Sequence, residues 1–206
     1  RFCYDIINFI KKKFPEFFDE IDYKIVEISR NLIERQSNTL KGLEEKVSWE
    51  SFSEDGFSFE PVVGSFLSNE FVDSLPVHQV VVEDNCLKEI YVTIKDDKFC
   101  EVIDDLSDPV LEDYFAKSKT NLIDGQRAEV NLKALDWMKN IPHYLNRGFV
   151  ITIDYGHLAE DLYSEQRYRG TLMCYYEHTT SENPYERVGS QDITSHVNFS
   201  SLMEAG

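Results

Sequence analysis

Paired cysteines, which a zinc site or a redox dithiol would need, are absent from this sequence. Its four cysteines lie far apart and form no CxxC pair: Cys3, Cys86, Cys100 and Cys174. Isolated cysteines are typical of proteins that work in a reducing compartment. The five histidines show no spacing typical of metal ligands, so we predict no metal site.

Long apolar segments and familiar catalytic motifs are missing as well. No run is long enough to cross a bilayer and no signal peptide is recognisable, so we expect no membrane span. The sequence contains no GxSxG elbow, P-loop or HExxH motif. The function must therefore be inferred from the polar residues that follow the predicted strands.

Basic residues are outnumbered by acidic ones. Lysine and arginine total 21 against 38 aspartates and glutamates, which gives a formal net charge of −17 at pH 7. Such a negative field repels phosphate backbones, so we expect no nucleic-acid partner. It attracts a basic protein segment or a cationic small molecule instead.

Helices and strands alternate along the first part of the chain. Helices are predicted over 2–10 and from the N-cap Ser29 to about Leu40, and strands over 23–28, 47–49, 61–67 and 149–154. The last two strands are apolar runs bounded by turn formers, which predicts burial on both faces. This alternation favours an α/β fold with a parallel sheet.

The middle of the chain has a different pattern. Three short β-rich runs, over 79–82, 87–94 and 99–103, are separated by Asp84-Asn85 and Asp96-Asp97, which predicts an antiparallel meander. A helix is expected to begin with Pro109 at its first position. A long amphipathic helix, bent near Pro142, is expected over 130–146.

Acids end three of the predicted strands, at Glu27, Glu70 and Asp154. Ligands bind at this edge of open α/β sheets, and an acid after the second strand typically accepts hydrogen bonds from ribose, a role that Glu27 fits. Glu70 and Asp73 would share one face if their segment is helical. On spacing alone, an acid-rich helix start explains this pair as well.

A second polar cluster covers residues 191–196. His196 is the histidine of most interest here, because Asp192 and two hydroxyl residues precede it just before a predicted helix. Capping of that helix by Asp192 or Thr194 is the simpler explanation.

Several segments together resemble one known family. They are residues 23–36 (its YxIVExSxxLxxxQ segment), 69–78 (NEFFDALPVH), 148–156 (RGxxLxIDYG), 169–178 (RGTLxxYxxH) and 189–199 (GxxDITxHVDF). Through these segments, the chain resembles the MidA-like family of S-adenosylmethionine-dependent methyltransferases over nearly its whole length. That family includes a mitochondrial factor that dimethylates an arginine of a respiratory complex I subunit. Val72 stands where the family usually has a second Phe.

The resemblance implies an α/β fold: a Rossmann-like class I methyltransferase sheet with an inserted antiparallel β meander and helices. It divides the chain into a partial cofactor-binding half (1–77), the insert with its helices (78–146) and C-terminal strands with a substrate-side segment (147–206). It also implies that a glycine-rich loop and a first strand belong before Arg1, and that the family's sequence continues beyond Gly206.

The implied cofactor is S-adenosyl-L-methionine. The residues expected to bind it are Glu27, Ile28, Ser29, Asn69 and Glu70. The residues expected to act in catalysis are Glu70, Asp73, Asp154, Tyr155 and His196. The residues expected to bind the substrate are Asp73, Arg169 and Asp192.

The first expected substrate is an arginine in a basic protein, because paired carboxylates can orient a guanidinium group. Two alternatives stay open at this point. One is an O- or C-methyltransferase of small molecules, and the other is a non-catalytic module that uses the meander as a protein-interaction surface. A bacterial cytoplasm and a mitochondrial matrix both fit the sequence. The sequence gives no prediction of the oligomeric state.

Overall fold

The first helix forms where the sequence places complementary charges at its ends. In the computed structural model, which describes residues 1–53, 56–57 and 59–206, α1 spans Phe2–Lys13. Asp5 lies in its first turn and three lysines in its last, as the helix dipole favours. Pro15 then begins α2 (Pro15–Glu20), at a position where a missing N–H breaks no bond. The helix predicted over 2–10 is confirmed.

The chain divides into two units, Arg1–Val62 and Val63–Gly206, and each is described by itself. After α1 and α2, the first unit contains β1 (Tyr23–Val26), α3 (Arg30–Thr39), β2 (Val47–Glu50), β3 (Phe52–Ser53) and β4 (Gly56–Phe57). β1 and β2 pair in parallel, with Tyr23 opposite Val47. The core of this unit is formed by Ile7, Leu40, Leu43 and Val47.

The second unit begins within β5 (Val62–Asn69). Its further elements are β6 (His78–Glu83), β7 (Cys86–Lys95), β8 (Lys98–Asp104), α4 (Val110–Ser118), β9 (Arg127–Val130), α5 (Leu132–Asn140), β10 (Leu145–Ile153), β11 (Gly156–His157), α6 (Ala159–Leu162), β12 (Met173–Tyr176), β13 (Thr179–Ser181), β14 (Asp192–Thr194), β15 (Val197–Asn198) and α7 (Phe199–Ala205), with 3₁₀ turns at Ile141–His143 and Glu165–Arg167.

The predicted meander is confirmed as part of a four-stranded antiparallel sheet in the order β8-β7-β6-β9. Both hairpin turns use residues that tolerate a positive φ: Asp84 and Asn85 in one, Asp96 and Asp97 in the other. Val80 and Val130 of this sheet pack against Leu111 of α4 and Leu162 of α6 in the main core of the unit. The sheet and its helices thus form the main scaffold of the second unit.

A second parallel pair, β5 and β10, supports the candidate site. Gly64 faces Gly148, and the Ser68 hydroxyl donates to Thr152 Oγ1 at 3.2 Å, so positions advance together along both strands. A side chain at Gly148 would overlap the Gly64 carbonyl oxygen, which explains a glycine there. The α/β class and its parallel pairing therefore agree with the prediction.

The prediction that β5 and β10 are buried on both faces is wrong. Val63 is 75% exposed and Phe149 is 72% exposed, while Ile151 and Ile153 of the same face are also exposed. The two strands form a two-stranded sheet. Residues of α5 and α7 lie against its other face, where Val150 and Thr152 point. One face of the pair thus lies next to helices, with Val150 still partly accessible there, and the other face is exposed.

Three further predictions need correction. The helix expected over 130–146 is shorter, because α5 ends at Asn140 and, after a 3₁₀ turn, the chain enters β10 at Leu145. The segment of Glu70 and Asp73 is a turn, not a helix start. The cap of α7 is Asn198, whose side chain accepts from Ser201 N, whereas Asp192 and Thr194 belong to β14.

The N-cap predicted at Ser29 is confirmed, since its hydroxyl accepts from Leu32 N at 3.4 Å. Within the described part of the chain, none of the helices combines the length and the apolar character needed to cross a membrane.

Candidate active site at the ends of β5 and β10

A turn over residues 69–76, called here the 69–76 loop, connects the end of β5 to the rest of the unit. The Asp154 carboxylate holds this loop: its Oδ2 accepts from the backbone N–H of Phe71, Val72 and Asp73 at 3.2, 2.9 and 3.3 Å. Its Oδ1 accepts from Tyr155 N at 2.8 Å. These bonds replace the helical bonds that the segment would otherwise need, so the loop stays open.

Asn131 fixes the same loop from the start of α5. Its side-chain Nδ2 donates to the Val72 carbonyl at 3.0 Å, and its Oδ1 accepts from Ala134 N at 2.8 Å as the helix cap. Val72 itself is fully buried among Ala134, Val197 and Leu202. The loop is therefore anchored by one apolar side chain and by two polar groups from other elements.

Glu70 adopts a backbone conformation that few side chains tolerate. Its φ is +47°, and its N–H donates to the Ile153 carbonyl at 2.9 Å, which extends the β5–β10 pairing by one residue. The side chain is exposed. A left-handed conformation in a residue that is neither glycine nor asparagine costs about 1 kcal/mol or more and is typical of functional sites.

Asp73 is a buried carboxylate that is only partly satisfied. The residue is 7% exposed, and its Oδ1 has no hydrogen-bond partner among the residues that the structure describes. Burial raises the pKa of Asp73 above its ordinary value, and the charges of Asp154 and Glu70 raise it further. The site thus concentrates three carboxylates, one of which has a free acceptor atom.

The segment Ser195, His196 and Val197 lies beside the loop and is held by three consecutive backbone N–H groups. They donate to the Asp73 carbonyl at 3.0 Å, to Thr171 Oγ1 at 3.0 Å and to the Tyr155 carbonyl at 2.8 Å, respectively. Thr171 is itself fixed by the buried carboxylate of Glu129, which accepts from its N–H and hydroxyl. His196 is therefore placed next to the loop by three different elements.

The Asp154 carboxylate thus binds the backbone of Asp73, and the main chain on both sides of His196 is bonded to Asp73 and Tyr155. Tyr155 is 62% exposed, which leaves its ring accessible. Asn69 ends β5 and is also exposed. Glu70 and Asp154 were predicted at strand ends and His196 in the polar cluster before a helix, and the structure brings the segments that carry them together.

Arg169 and Asp192 have surroundings of their own. Arg169 lines a cleft of about 310 Å³ with Glu101 and Arg127, and pairs with Glu182 at 3.4 Å. Asp192 lies in β14, opposite Tyr175 of β12, and is exposed. Their assignment to substrate binding stays a prediction.

In the first unit, Glu27 follows β1, as predicted. Its Oε1 accepts from Ser29 N at 2.9 Å and its Oε2 from Gln36 Nε2 at 3.1 Å. Each carboxylate oxygen can accept a second bond, so the group can still bind a hydroxyl pair. The neighbouring Ile28 is 81% exposed. The assignment of Glu27, Ile28 and Ser29 to cofactor binding stays a prediction.

One histidine of the candidate site was not predicted. His157 lies 5.2 Å from His196 between ring centroids, and its Nδ1 is 2.7 Å from Asp161 Oδ2. Arg167 Nη2 lies 3.0 Å from the other ring nitrogen of His157. The spacing of four residues between His157 and Asp161 was visible in the sequence, but the short helix α6 that carries Asp161 after β11 was not anticipated.

Comparison with models of known protein families identifies the family of this chain. Residues 1–206 match the model of the family described as "Putative S-adenosyl-L-methionine-dependent methyltransferase". The chain belongs to this family. The predicted cofactor agrees with the description of the family, whereas the closer resemblance to its MidA-like members stays a prediction. Comparison with curated proteins gives no significant match.

Two crystal structures from Burkholderia thailandensis are similar to the chain. One contains S-adenosyl-homocysteine; the other is of an uncharacterized protein in its native form. Each is 32% identical, with a TM-score of 0.79 over 90% of this chain. The match covers 47% and 49% of those proteins, so the chain spans about half their length. This similarity agrees with the Rossmann-like methyltransferase fold that was predicted for the chain.

Proposed function

We propose that this chain is part of an S-adenosyl-L-methionine-dependent methyltransferase that acts on an arginine side chain of a basic protein. Family membership and the S-adenosyl-homocysteine in a similar structure support the general activity. The choice of arginine rests on the carboxylates of the 69–76 loop. The net charge of −17 favours a basic substrate in addition.

The unpartnered Oδ1 of Asp73 is the observation that carries the proposal. A buried carboxylate oxygen without a donor is unfavourable, and a guanidinium group supplies planar pairs of N–H donors that suit a carboxylate. With Glu70 exposed beside it, a second carboxylate is available to the same cation. Two carboxylates can orient the guanidinium and localise its charge away from the nitrogen that reacts.

For Asp154 we propose a positioning role in place of the predicted catalytic one. Four backbone N–H groups already occupy its two oxygens, so we assign it to positioning the 69–76 loop. Tyr155 and His196 remain the neighbours that can contact the substrate, since one ring is accessible and the other is half-buried.

For the cofactor, Glu27 would accept from the ribose hydroxyls and Ile28 would lie against the adenine. When bound, S-adenosyl-L-methionine supplies a methyl group on a positively charged sulfur. Asn69 and Glu70 stay predicted cofactor residues, and Ser29 orients Glu27 through its N–H.

One observation favours a small-molecule substrate instead. An apolar depression of about 500 Å³ lies between β10 and the helices α5 and α7, lined by residues such as Met138, Ile141, Val150 and Leu202. An apolar metabolite would suit it better than a guanidinium would.

Exposed apolar residues on the β7–β8 hairpin, among them Val92 and Ile94, are the feature that favours a binding module.

Two measurements separate these alternatives. Calorimetric titration of the full-length protein with S-adenosyl-L-methionine tests both enzyme hypotheses, and absence of binding would leave only the binding module. An assay with isotope-labelled cofactor and a cell lysate, divided into protein and small-molecule fractions, then identifies the substrate class. We expect the label in the protein fraction; label confined to small molecules would exclude the arginine proposal.

A further inference from the structure

His157 lies against the His196 ring and belongs to a group of polar contacts that the proposed function does not yet use. Arg167 donates to the Asp161 side chain at 2.8 Å and contacts the His157 ring at 3.0 Å. His157 and Asp161 are in turn 2.7 Å apart. Arg167, Asp161 and His157 therefore form a closed triangle beside the His196 ring.

The triangle fixes the proton of His157. Arginine has only donors, so the Nε2 atom of His157 must accept from Arg167. The ring proton is then on Nδ1, where it faces the Asp161 carboxylate. His157 consequently keeps one tautomer and one orientation.

His196 is the ring that this arrangement acts on. Its Nδ1 is buried and has no hydrogen-bond partner among the residues that the structure describes. Burial lowers the pKa of His196, and the neighbouring His157 and Arg167 lower it further. The residues on both sides of His196 donate their backbone N–H groups to the Asp73 and Tyr155 carbonyls, so the segment that carries the ring lies against the proposed substrate site.

The proposed reaction needs a proton acceptor at this place. When a guanidinium nitrogen forms a bond to the methyl group and the carbon–sulfur bond breaks, that nitrogen must lose one proton to keep a single positive charge on the product. We propose that His196 takes this proton and that His157, fixed by Arg167 and Asp161, is the positioning residue for His196. The proton then passes to solvent. This inference rests on the proposed function.

The first test uses the histidine rings themselves and needs no substrate. In NMR titrations of the full-length protein, we expect Arg167→Gln to move the midpoint of His196 upward by about half a pH unit or more. The conservative Arg167→Lys keeps a positive charge and should move it less. Arg187→Gln removes an arginine that lies over the Tyr176 ring and should leave it unchanged. An unchanged midpoint in Arg167→Gln would overturn the proposal.

The second test is the pH profile of methyl transfer. With His196 as the acceptor, activity falls below the midpoint of His196, and Arg167→Gln should move this acidic limb upward by the same amount as the NMR midpoint. His157→Gln should lower kcat about tenfold or more with little change in KM, while His143→Gln, an exposed control, should not. Circular dichroism verifies folding of each variant.

The two tests also separate this inference from the proposed function. If proteins receive no methyl label but the His196 midpoint responds to Arg167→Gln, the substrate is wrong and the histidine contact holds. If proteins are labelled on arginine and the acidic limb does not move in Arg167→Gln, His196 is not the proton acceptor.

Discussion

Asp73 is the residue at which the balance between stability and function is most visible. Its carboxylate is buried next to two others, and one oxygen has no partner among the described residues. Val72 beside it makes the apolar contacts that anchor the loop in the core. A group that is unfavourable in the free protein and suited to a cation is typical of a binding site.

We predict that Asp73→Asn lowers kcat/KM for a protein substrate about 100-fold while the affinity for S-adenosyl-L-methionine stays within a factor of two. The amide keeps the shape of the side chain but loses the charge that orients the guanidinium. Asp136→Asn, an exposed acid on α5, is the matched control. Equal activity of the Asp73→Asn and wild-type proteins would exclude Asp73 from the substrate site.

The same variant is predicted to be more stable than the wild type at neutral pH. The pKa of Asp73 is raised in the folded protein, so folding favours its protonated form, and ionisation lowers stability as the pH rises above the ordinary value. Thermal unfolding should therefore show a higher Tm for Asp73→Asn at pH 7, by a few degrees. Below about pH 4 the difference should vanish, because both proteins are then neutral at this position. A lower Tm at pH 7 would argue against an unfavourable charge.

Among the structural elements, the 69–76 loop depends on Asp154. Asp154→Ala removes an acceptor for four backbone N–H groups and should lower the free energy of unfolding by about 2–4 kcal/mol. Asp154→Asn keeps one oxygen and should cost about half as much. Denaturant titrations measure both values. If Asp154→Ala unfolds like the wild type but loses activity, Asp154 acts on the substrate directly and the loop role is wrong.

The pairing of β5 with β10 depends on a close approach of two backbones. Gly148→Ala places a methyl group on the Gly64 carbonyl oxygen at a φ of +149°, and we expect it to cost about 2–4 kcal/mol. At Gly64 itself an added Cβ meets no atom within 4 Å, so Gly64→Ala should change the stability by less than about 1 kcal/mol. A comparison of the urea midpoints of the two variants tests the register of β5 and β10. An equal loss of stability in both variants would contradict this register.

Local rules predicted the elements whose causes are local. The Asp84-Asn85 and Asp96-Asp97 turns, the Ser29 cap and α1 each depend on a few neighbouring residues, and all are present. The strand ends at Glu27, Glu70 and Asp154 were also located, because an apolar run followed by an acid is visible in the chain.

Contacts between distant segments account for what was missed. Glu70 and Asp73 resemble a helix start, but Asp154, more than 80 residues away, binds the N–H groups and keeps an open turn. Apolar composition indicated strands but could not show that one face of β5 and β10 is exposed. The His157–His196 contact needs the pairing of β11 with β15, which no local pattern indicates.

At the scale of the whole molecule, the excess of 17 negative charges should control the encounter with the substrate. We predict that KM for a basic arginine-containing peptide rises about tenfold between 50 and 300 mM salt, because long-range attraction between charges is screened. A peptide with the same arginine and its lysines replaced by glutamine should show a weaker dependence. Equal salt dependence of the two peptides would show that the acidic surface does not attract the substrate.

The central claim is that an arginine receives the methyl group at the carboxylates of the 69–76 loop. The most direct measurement is tandem mass spectrometry of lysate proteins after incubation with the full-length protein and methyl-deuterated S-adenosyl-L-methionine. We predict the label on guanidinium nitrogens of arginine in a basic protein, and its loss with Asp73→Asn. Label on small molecules alone, or on protein side chains other than arginine, would contradict the claim.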